Sequence, residues 1–278
     1  MPEEGPGADH EEWLAAFRRA CDRIADAAAA MTPDRRREPQ GRGAGGDVTV
    51  LIDRVAEDVV LEELEALGRP MRVLSEEAGE VVLGGGGADI PLVVVDPIDG
   101  SLNAKRGMPL FATSIALSGG PAMGDVTLGL VRDHGTGEEW TAARGRGAWR
   151  DGERLAAQPP PDPRRLPVLL LEGATPARVA RAAGRLDGRA GRLRALGSLA
   201  LSLCHVAGGR GDAMAGLGPG RAVDVAAAQL VARETGLLVG MPRVEDLPGV
   251  PLDLESRFRV SAAHDGDTID LLRSLSRR

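Results

Sequence analysis

Tyrosine is absent from this 278-residue chain, and Phe and Trp occur only three times each. Without aromatic bulk, the core has to be filled by Leu, Val, Ala and Ile. Lysine is almost missing too: Lys105 is the one lysine among 34 Lys and Arg residues. With abundant Ala and Gly, this is the imprint of GC-rich codons, so Arg in place of Lys carries little functional meaning. The two cysteines, Cys21 and Cys204, sit in Ala/Leu-rich helical patterns with no partner spacing and read as buried hydrophobes in a reducing compartment. No apolar run reaches the roughly 18 residues a membrane helix needs. Met1 to His10 is acidic and lacks the apolar stretch of a signal peptide. A soluble, cytoplasmic protein is expected, with no membrane partner. The formal net charge of −7 argues against nucleic acid as the main partner, since a phosphate backbone demands a basic face. A local site for a small anion stays possible, because a bound cation reverses the local sign.

What is present is ordinary for a globular chain: 43% hydrophobic and 27% charged residues, long enough for one large or two-lobed unit. Residues 1–10 read as a disordered acidic tail. Helical periodicity runs from Glu11 to about Met31 through Trp13, Phe17, Cys21 and Ile24, and again from Leu51 to Leu67. Between them, Arg35 to Gly46 reads as a basic, Gly-rich loop. Strands are expected at Met71–Leu74, at Pro91–Val95 (apolar throughout and stopping at Asp96), and at Ala112–Leu117, Val126–Arg132 and Glu138–Ala142. Val81 to Asp89 reads as a Gly-rich loop, and Asp151-Gly152 as a tight hairpin turn.

The Pro-rich stretch Gln158–Pro167 is the expected boundary between an N-terminal α+β lobe carrying a metal site (11–157) and a C-terminal α/β lobe (168–278). Beyond it, strands at Val168–Leu171, Leu193–Leu196, Asp212–Ala215 and Arg259–Ser261 alternate with helices at Pro176–Leu186, Ser198–Ala207, Asp224–Thr235 and Thr268–Ser276. This alternation predicts a layered α/β fold.

Chemistry concentrates in Asp96-Pro97-Ile98-Asp99-Gly100-Ser101-Leu102-Asn103. An apolar strand delivers two carboxylates, three residues apart, where the chain leaves the sheet, and strand ends are where open α/β sheets bind ligands. Pro97 sets the turn, and the Ile98 carbonyl can join the acids. Such oxygen donors suit Mg²⁺ or Mn²⁺ rather than zinc. Gly100 and Ser101 then offer backbone N–H groups to a phosphate oxygen. Alone, Asp96 and Asp99 could equally cap a turn. Three further features tip the balance: Glu76-Glu77 closes the preceding strand, Asp224 interrupts an apolar, Ala-rich stretch, although helix capping would suffice for it, and two more acids stand upstream at Asp47 and Asp53. Asp47 and Asp53 flank Thr49-Val50-Leu51, where a capping or solvated role is equally open.

Together these pieces resemble the inositol monophosphatase family of magnesium-dependent, lithium-sensitive phosphatases, over about residues 11 to 276. The central motif matches at Asp96 to Ser101 with Asn103, the Glu-Glu pair at Glu76-Glu77, the aspartate-rich segment imperfectly at Asp47 to Asp53, and the final metal motif at Val223 to Ala227. The stretch Ala143–Ala148 with Asp151-Gly152, and the run Gly197–Ala200, agree as well. The resemblance implies an αβαβα sandwich of the inositol monophosphatase and sugar phosphatase kind. It also implies one metal on Glu76, Asp96 and the Ile98 carbonyl, and a second on Asp96, Asp99 and Asp224, with two or three Mg²⁺ ions in all. Ser101 and Asp53 would orient the attacking water, Asp53 accepting from Ser101, and the Gly100 and Ser101 amides would hold phosphate. A small phosphorylated metabolite is the implied substrate and a homodimer the implied assembly.

There are departures. The family's Phe after Asn becomes Ala104, its Trp before the last metal ligand becomes Val223, and Arg42 stands nearest its loop lysine. Gly216 to Gly220 lacks the carboxylate that some members aim at an inositol hydroxyl, and Arg221 could face the far end of the substrate instead, against a plain surface role. The competing reading is a non-catalytic binding or regulatory relative, which the complete set of four acids disfavours. A dinucleotide-binding enzyme is excluded, because no strand is followed by Gly-x-Gly-x-x-Gly.

Overall fold

A computed structural model describes residues 7–43, 48–87, 90–158, 162 and 165–275 of the chain. Eight strands form the larger sheet, in the order Glu153–Arg154, Gly147–Arg150, Glu139–Ala143, Val126–Asp133, Ala112–Ser118, Leu92–Asp99, Met71–Ser75, Gly79–Leu83. Neighbours run antiparallel except Met71–Ser75 and Leu92–Asp99, which are parallel. Five strands form the second sheet: Ala190–Arg194, Leu166–Glu172, Ala213–Gly216, Ser261–Ala263, Leu238–Gly240. Its parallel pairs are joined by the crossover helices Pro176–Leu186 and Leu199–Ala207, as parallel neighbours require.

Alternation along the strands builds the layers. Val93 and Val95 face one way, toward helices Ala8–Ala30 and Leu51–Glu65, in a core with Trp13, Leu14, Phe17, Ile52 and Val60. Leu92 and Val94 face the other way, toward helices Leu199–Ala207 and Ala222–Glu234, which are buried between the two sheets. On the far side of the second sheet, Leu169 and Leu171 meet Ala182 and Leu186 of Pro176–Leu186, and Ile269 and Leu272 of the last helix, Gly266–Ser274. The result is the αβαβα sandwich that the family resemblance implies.

Small residues take over the work of the missing aromatics. A Cβ at Gly129 would stand 2.8 Å from the Ala227 carbonyl, so the Ala-rich central helix lies almost directly on the sheet. Phe17 is fully buried, and truncating it to Ala would cost about 3–5 kcal/mol.

Several expectations need correction. The first helix begins at Ala8, inside the stretch read as a tail, while Met1 to Pro6 lie outside the described residues. Within Arg35 to Gly46 lie the end of a helix, Pro33–Arg36, and a strand, Pro39–Arg42, paired antiparallel with Val48–Val50, while Ala44 to Gly46 are outside the described residues. Asp47 and the Arg42 side chain lie outside the described residues. Val81 to Leu83 belongs to an edge strand, Gly79–Leu83, which needs a ladder partner on one side only and so tolerates the glycines after it. The strand Leu92–Asp99 does not stop at Asp96: pairing with Ala112–Ser118 resumes at Asp99, past an irregularity where Pro97 has no N–H to give. Strand Leu238–Gly240 went unrecognised because it is three residues long. The hairpin turn is as expected, with Asp151 and Gly152 both at positive φ, 51° and 80°.

Candidate active site

Parallel pairing assembles the first part of the site. Ser75 lies in register with Val95, so the next residues stand side by side, Glu76 just past the end of Met71–Ser75 and Asp96 within Leu92–Asp99. Asp224 arrives from the far end of the chain, in the first turn of helix Ala222–Glu234. Carboxylate oxygens of Glu76, Asp96 and Asp224 all lie within 4.8 Å of one another. Burial, then the charges of Glu76, Asp99 and Asp224, push the Asp96 carboxyl well above the usual carboxylate range. Asp224 is raised as well, by burial against the opposing amide of Arg221. Acids crowded in this way ask for a cation, and an all-oxygen donor set fits a hard divalent ion such as Mg²⁺.

Asp99 stands beside this trio rather than in it. Its Oδ2 accepts from the Ser198 hydroxyl and, at 2.7 Å, from the Ala200 amide, at the start of helix Leu199–Ala207. Burial raises its carboxyl first, and the Asp224 charge next, so the two acids sense each other. Asp96 Oδ1 accepts from the Ile98 amide at 3.0 Å, which folds the turn back on its own carboxylate. The Ile98 carbonyl accepts from Ser101 Oγ at 2.9 Å. Gly100 adopts φ 90°, and a Cβ there would stand 2.9 Å from the Leu110 carbonyl, so only glycine fits ahead of the short helix Ser101–Arg106.

Asp53, in the first turn of Leu51–Glu65, lines the same narrow cleft as Glu76, Glu77, Asp96, Ile98 and Ser101. Its Oδ2 lies 3.0 Å from Lys105 Nζ and accepts from the Val50 amide at 3.3 Å. Next to this cleft a wider one of about 500 Å³ opens between the two halves of the chain, lined in part by Asp99, Asn103, Glu172, Gly197 and Pro219. Arg221 is not among the residues lining that space, and its guanidinium forms an ion pair with Glu76.

Three participants escaped the sequence reading. Ser198 reads in the sequence only as a helix start, yet it holds Asp99. Glu172 accepts from the Leu196 and Gly197 amides, at 2.8 and 2.9 Å, and shapes the loop that faces Asn103. Codon bias accounts for the many Arg residues but not for Lys105, and the solitude of this lysine beside the motif is the signal that could have found it.

The chain and its fold have known relatives. A profile of the inositol monophosphatase family matches residues 9–276, and the chain belongs to that family of phosphatases. It is 33% identical over 229 residues to a fructose-1,6-bisphosphatase/inositol-1-monophosphatase of Methanothermobacter thermautotrophicus, covering 80% of each chain. It is also 33% identical over 200 residues to the Nus factor SuhB of Escherichia coli, covering 69% of this chain and 71% of that one. A crystal structure of an inositol monophosphatase–fructose 1,6-bisphosphatase superposes with a TM-score of 0.81 at 25% identity, covering 95% of this chain and 99% of the other. SuhB from Bartonella henselae shares the fold, with a TM-score of 0.78 at 22% identity over 98% and 99% of the two chains.

Proposed function

We propose that this protein hydrolyses a small-molecule phosphate monoester with water, using Mg²⁺ held by Glu76, Asp96, Asp99, Asp224 and the Ile98 carbonyl. The convergence of Glu76, Asp96 and Asp224 is the observation that carries this reading. When bound, the metal supplies charge neutralisation at the phosphoryl group and a more acidic water. The chain's own residues do the rest. Gly100 and Ser101 amides hold a phosphate oxygen, and Asp53 and Ser101 orient the attacking water in line with the ester bond. The water oxygen bonds to phosphorus, the ester oxygen departs and takes up a proton, and inorganic phosphate remains.

Family likeness alone extends the reading to two or three ions, Mn²⁺ as a substitute, inhibition by Li⁺, a homodimer and a cytoplasmic setting. Among the described residues no helix is long and apolar enough to cross a membrane.

Relatives named for fructose 1,6-bisphosphate and inositol 1-phosphate frame the substrate question. Inositol 1-phosphate is not expected to be the best substrate, because Gly216–Gly220 has no carboxylate for an inositol hydroxyl. A site without that bond cannot discriminate by leaving it unmade. A phosphate-release screen over inositol 1-phosphate, fructose 1,6-bisphosphate, histidinol phosphate and nucleoside bisphosphates tests both points. No release from any of them in Mg²⁺ would sink the phosphatase reading. The highest kcat/KM on inositol 1-phosphate would sink the specificity claim alone.

A further inference from the structure

Lys105 is the one lysine among 34 basic side chains, all the others being Arg. A coding bias that strong replaces lysine wherever a positive charge is all that is needed. Lys105 stands six residues beyond Asp99, in helix Ser101–Arg106, and reaches across to the helix that carries Asp53. Its ammonium is 3.0 Å from Asp53 Oδ2, in a pair whose side chains are 22% and 4% exposed. The same oxygen takes the Val50 amide. Asp53 Oδ1, by contrast, is buried and has no hydrogen-bond partner, the one carboxylate oxygen so left among the described residues.

An ion pair built only for stability would not leave that oxygen bare, since an unmet buried acceptor is costly. It would also be well served by Arg, whose planar fork clasps both oxygens of a carboxylate at once. An ammonium is a point donor and can hold one oxygen while sparing its neighbour. Burial pushes the Asp53 carboxyl up, and the charge of Lys105 is the largest influence opposing it.

From this geometry we infer that Lys105 is a positioning residue for the hydrolysis: it holds Asp53 by Oδ2 alone, so that Oδ1 stays open to accept a hydrogen bond from the attacking water. The inference rests on the phosphatase reading and adds to it the reason why this place is lysine.

The test uses the full chain in Mg²⁺ with three variants, Lys105→Met, Lys105→Arg and Asp53→Asn. With the ester turned over fastest in the screen, Lys105→Met should lower kcat about 10-fold or more and leave KM within about twofold, as expected for a group acting on the reacting water. Lys105→Arg keeps the charge and the thermal stability, yet should recover no more than about a tenth of the wild-type kcat, because the fork caps Oδ1. Selective ¹⁵N-lysine labelling gives a single side-chain ammonium resonance in this protein, and Asp53→Asn should shift it. That readout needs no turnover. Full kcat in Lys105→Arg would overturn the inference and make the pair structural. So would an ammonium resonance indifferent to Asp53→Asn. If Lys105→Met does not fold, Lys105→Arg and the resonance decide. A wild-type chain that releases phosphate from no ester refutes the phosphatase reading itself, an outcome distinct from an active wild type fully matched by Lys105→Arg.

Discussion

Arg221 reaches two of the three converging acids: its guanidinium is ion-paired with Glu76, and its backbone amide donates to Asp224 Oδ2 at 2.8 Å. A cation that binds Glu76 must displace or share that guanidinium. Arg221→Ala should therefore shift the Mg²⁺ activation midpoint down by about threefold or more, the guanidinium no longer competing for the carboxylate. Titrating Mg²⁺ against phosphate release measures it. An unchanged midpoint together with a raised KM would return Arg221 to the substrate-facing role that the sequence suggests.

Removing the metal, or the acid at the centre of its site, should stop the reaction. Among the described residues Asp96 forms no ion pair with Lys or Arg, and it is pressed by three neighbouring acids. Chelation should abolish activity and Mg²⁺ should restore it, while Asp96→Asn should leave less than about 1% of wild-type activity, comparable to the loss of a principal electrostatic group. Full turnover by a metal-stripped sample in excess chelator would refute the mechanism.

Ser101→Ala and Asp53→Asn should each reduce kcat by roughly 10²-fold with little effect on KM. The double variant should cost about as much as either single change, since residues that act as a unit are not additive. Independent, multiplying losses would show that the two do not act on one water.

Without divalent ions, stability should depend on pH in a direction set by the crowded acids. Asp96, Asp99 and Asp224 have carboxyl groups raised in the folded state by burial and by neighbouring acids. The folded chain thus holds their protons more tightly than the unfolded chain. That contribution is present below the ordinary carboxylate range near pH 4 and fades as pH rises through the raised values. In chelator, Tm should fall between pH 5 and pH 8, and Mg²⁺ should raise it most at the alkaline end. A Tm gain from Mg²⁺ that is equal at both ends would contradict this account.

His134 acts in the opposite sense. It is stacked on Phe111, shares a 2.8 Å hydrogen bond with Thr113, and is pushed down to about 4 by burial and by the Arg132 charge. Its neutral form is favoured by folding, so the stability it contributes is complete above pH 6.5 and is lost as pH falls toward 4. With Mg²⁺ present, denaturant melts should show a loss of up to about 1.4 kcal/mol per pH unit in that window. His134→Gln should flatten this slope, and a slope of the same size in the variant would assign the loss elsewhere.

Much of the site was legible because its chemistry is compressed into short windows. An apolar run, Leu92 to Val95, followed by two acids and a glycine, declares a buried strand opening onto a turn whatever surrounds it. Asp151-Gly152 declares a hairpin because that turn needs positive φ at both positions. Helical periodicity likewise placed Trp13, Phe17 and Ile24 on one buried face. Edge strands were harder, since Gly79–Leu83 is half exposed and followed by glycines that read as loop.

The sequence by itself thus determined the longer elements, their buried faces and the motif from Asp96 to Ser101. Tertiary structure alone decided which distant groups meet. The parallel register of Ser75 with Val95 sets Glu76 beside Asp96, and helix packing brings in Asp224 from well over a hundred residues away. The same packing sets Ser198 against Asp99, turns Arg221 toward Glu76, and lays Lys105 on one oxygen of Asp53. Periodicity reports which side of an element is buried, whereas charge pairing and hydrogen bonding depend on ångström-scale distances between elements, and those exist only once the layers have closed on one another.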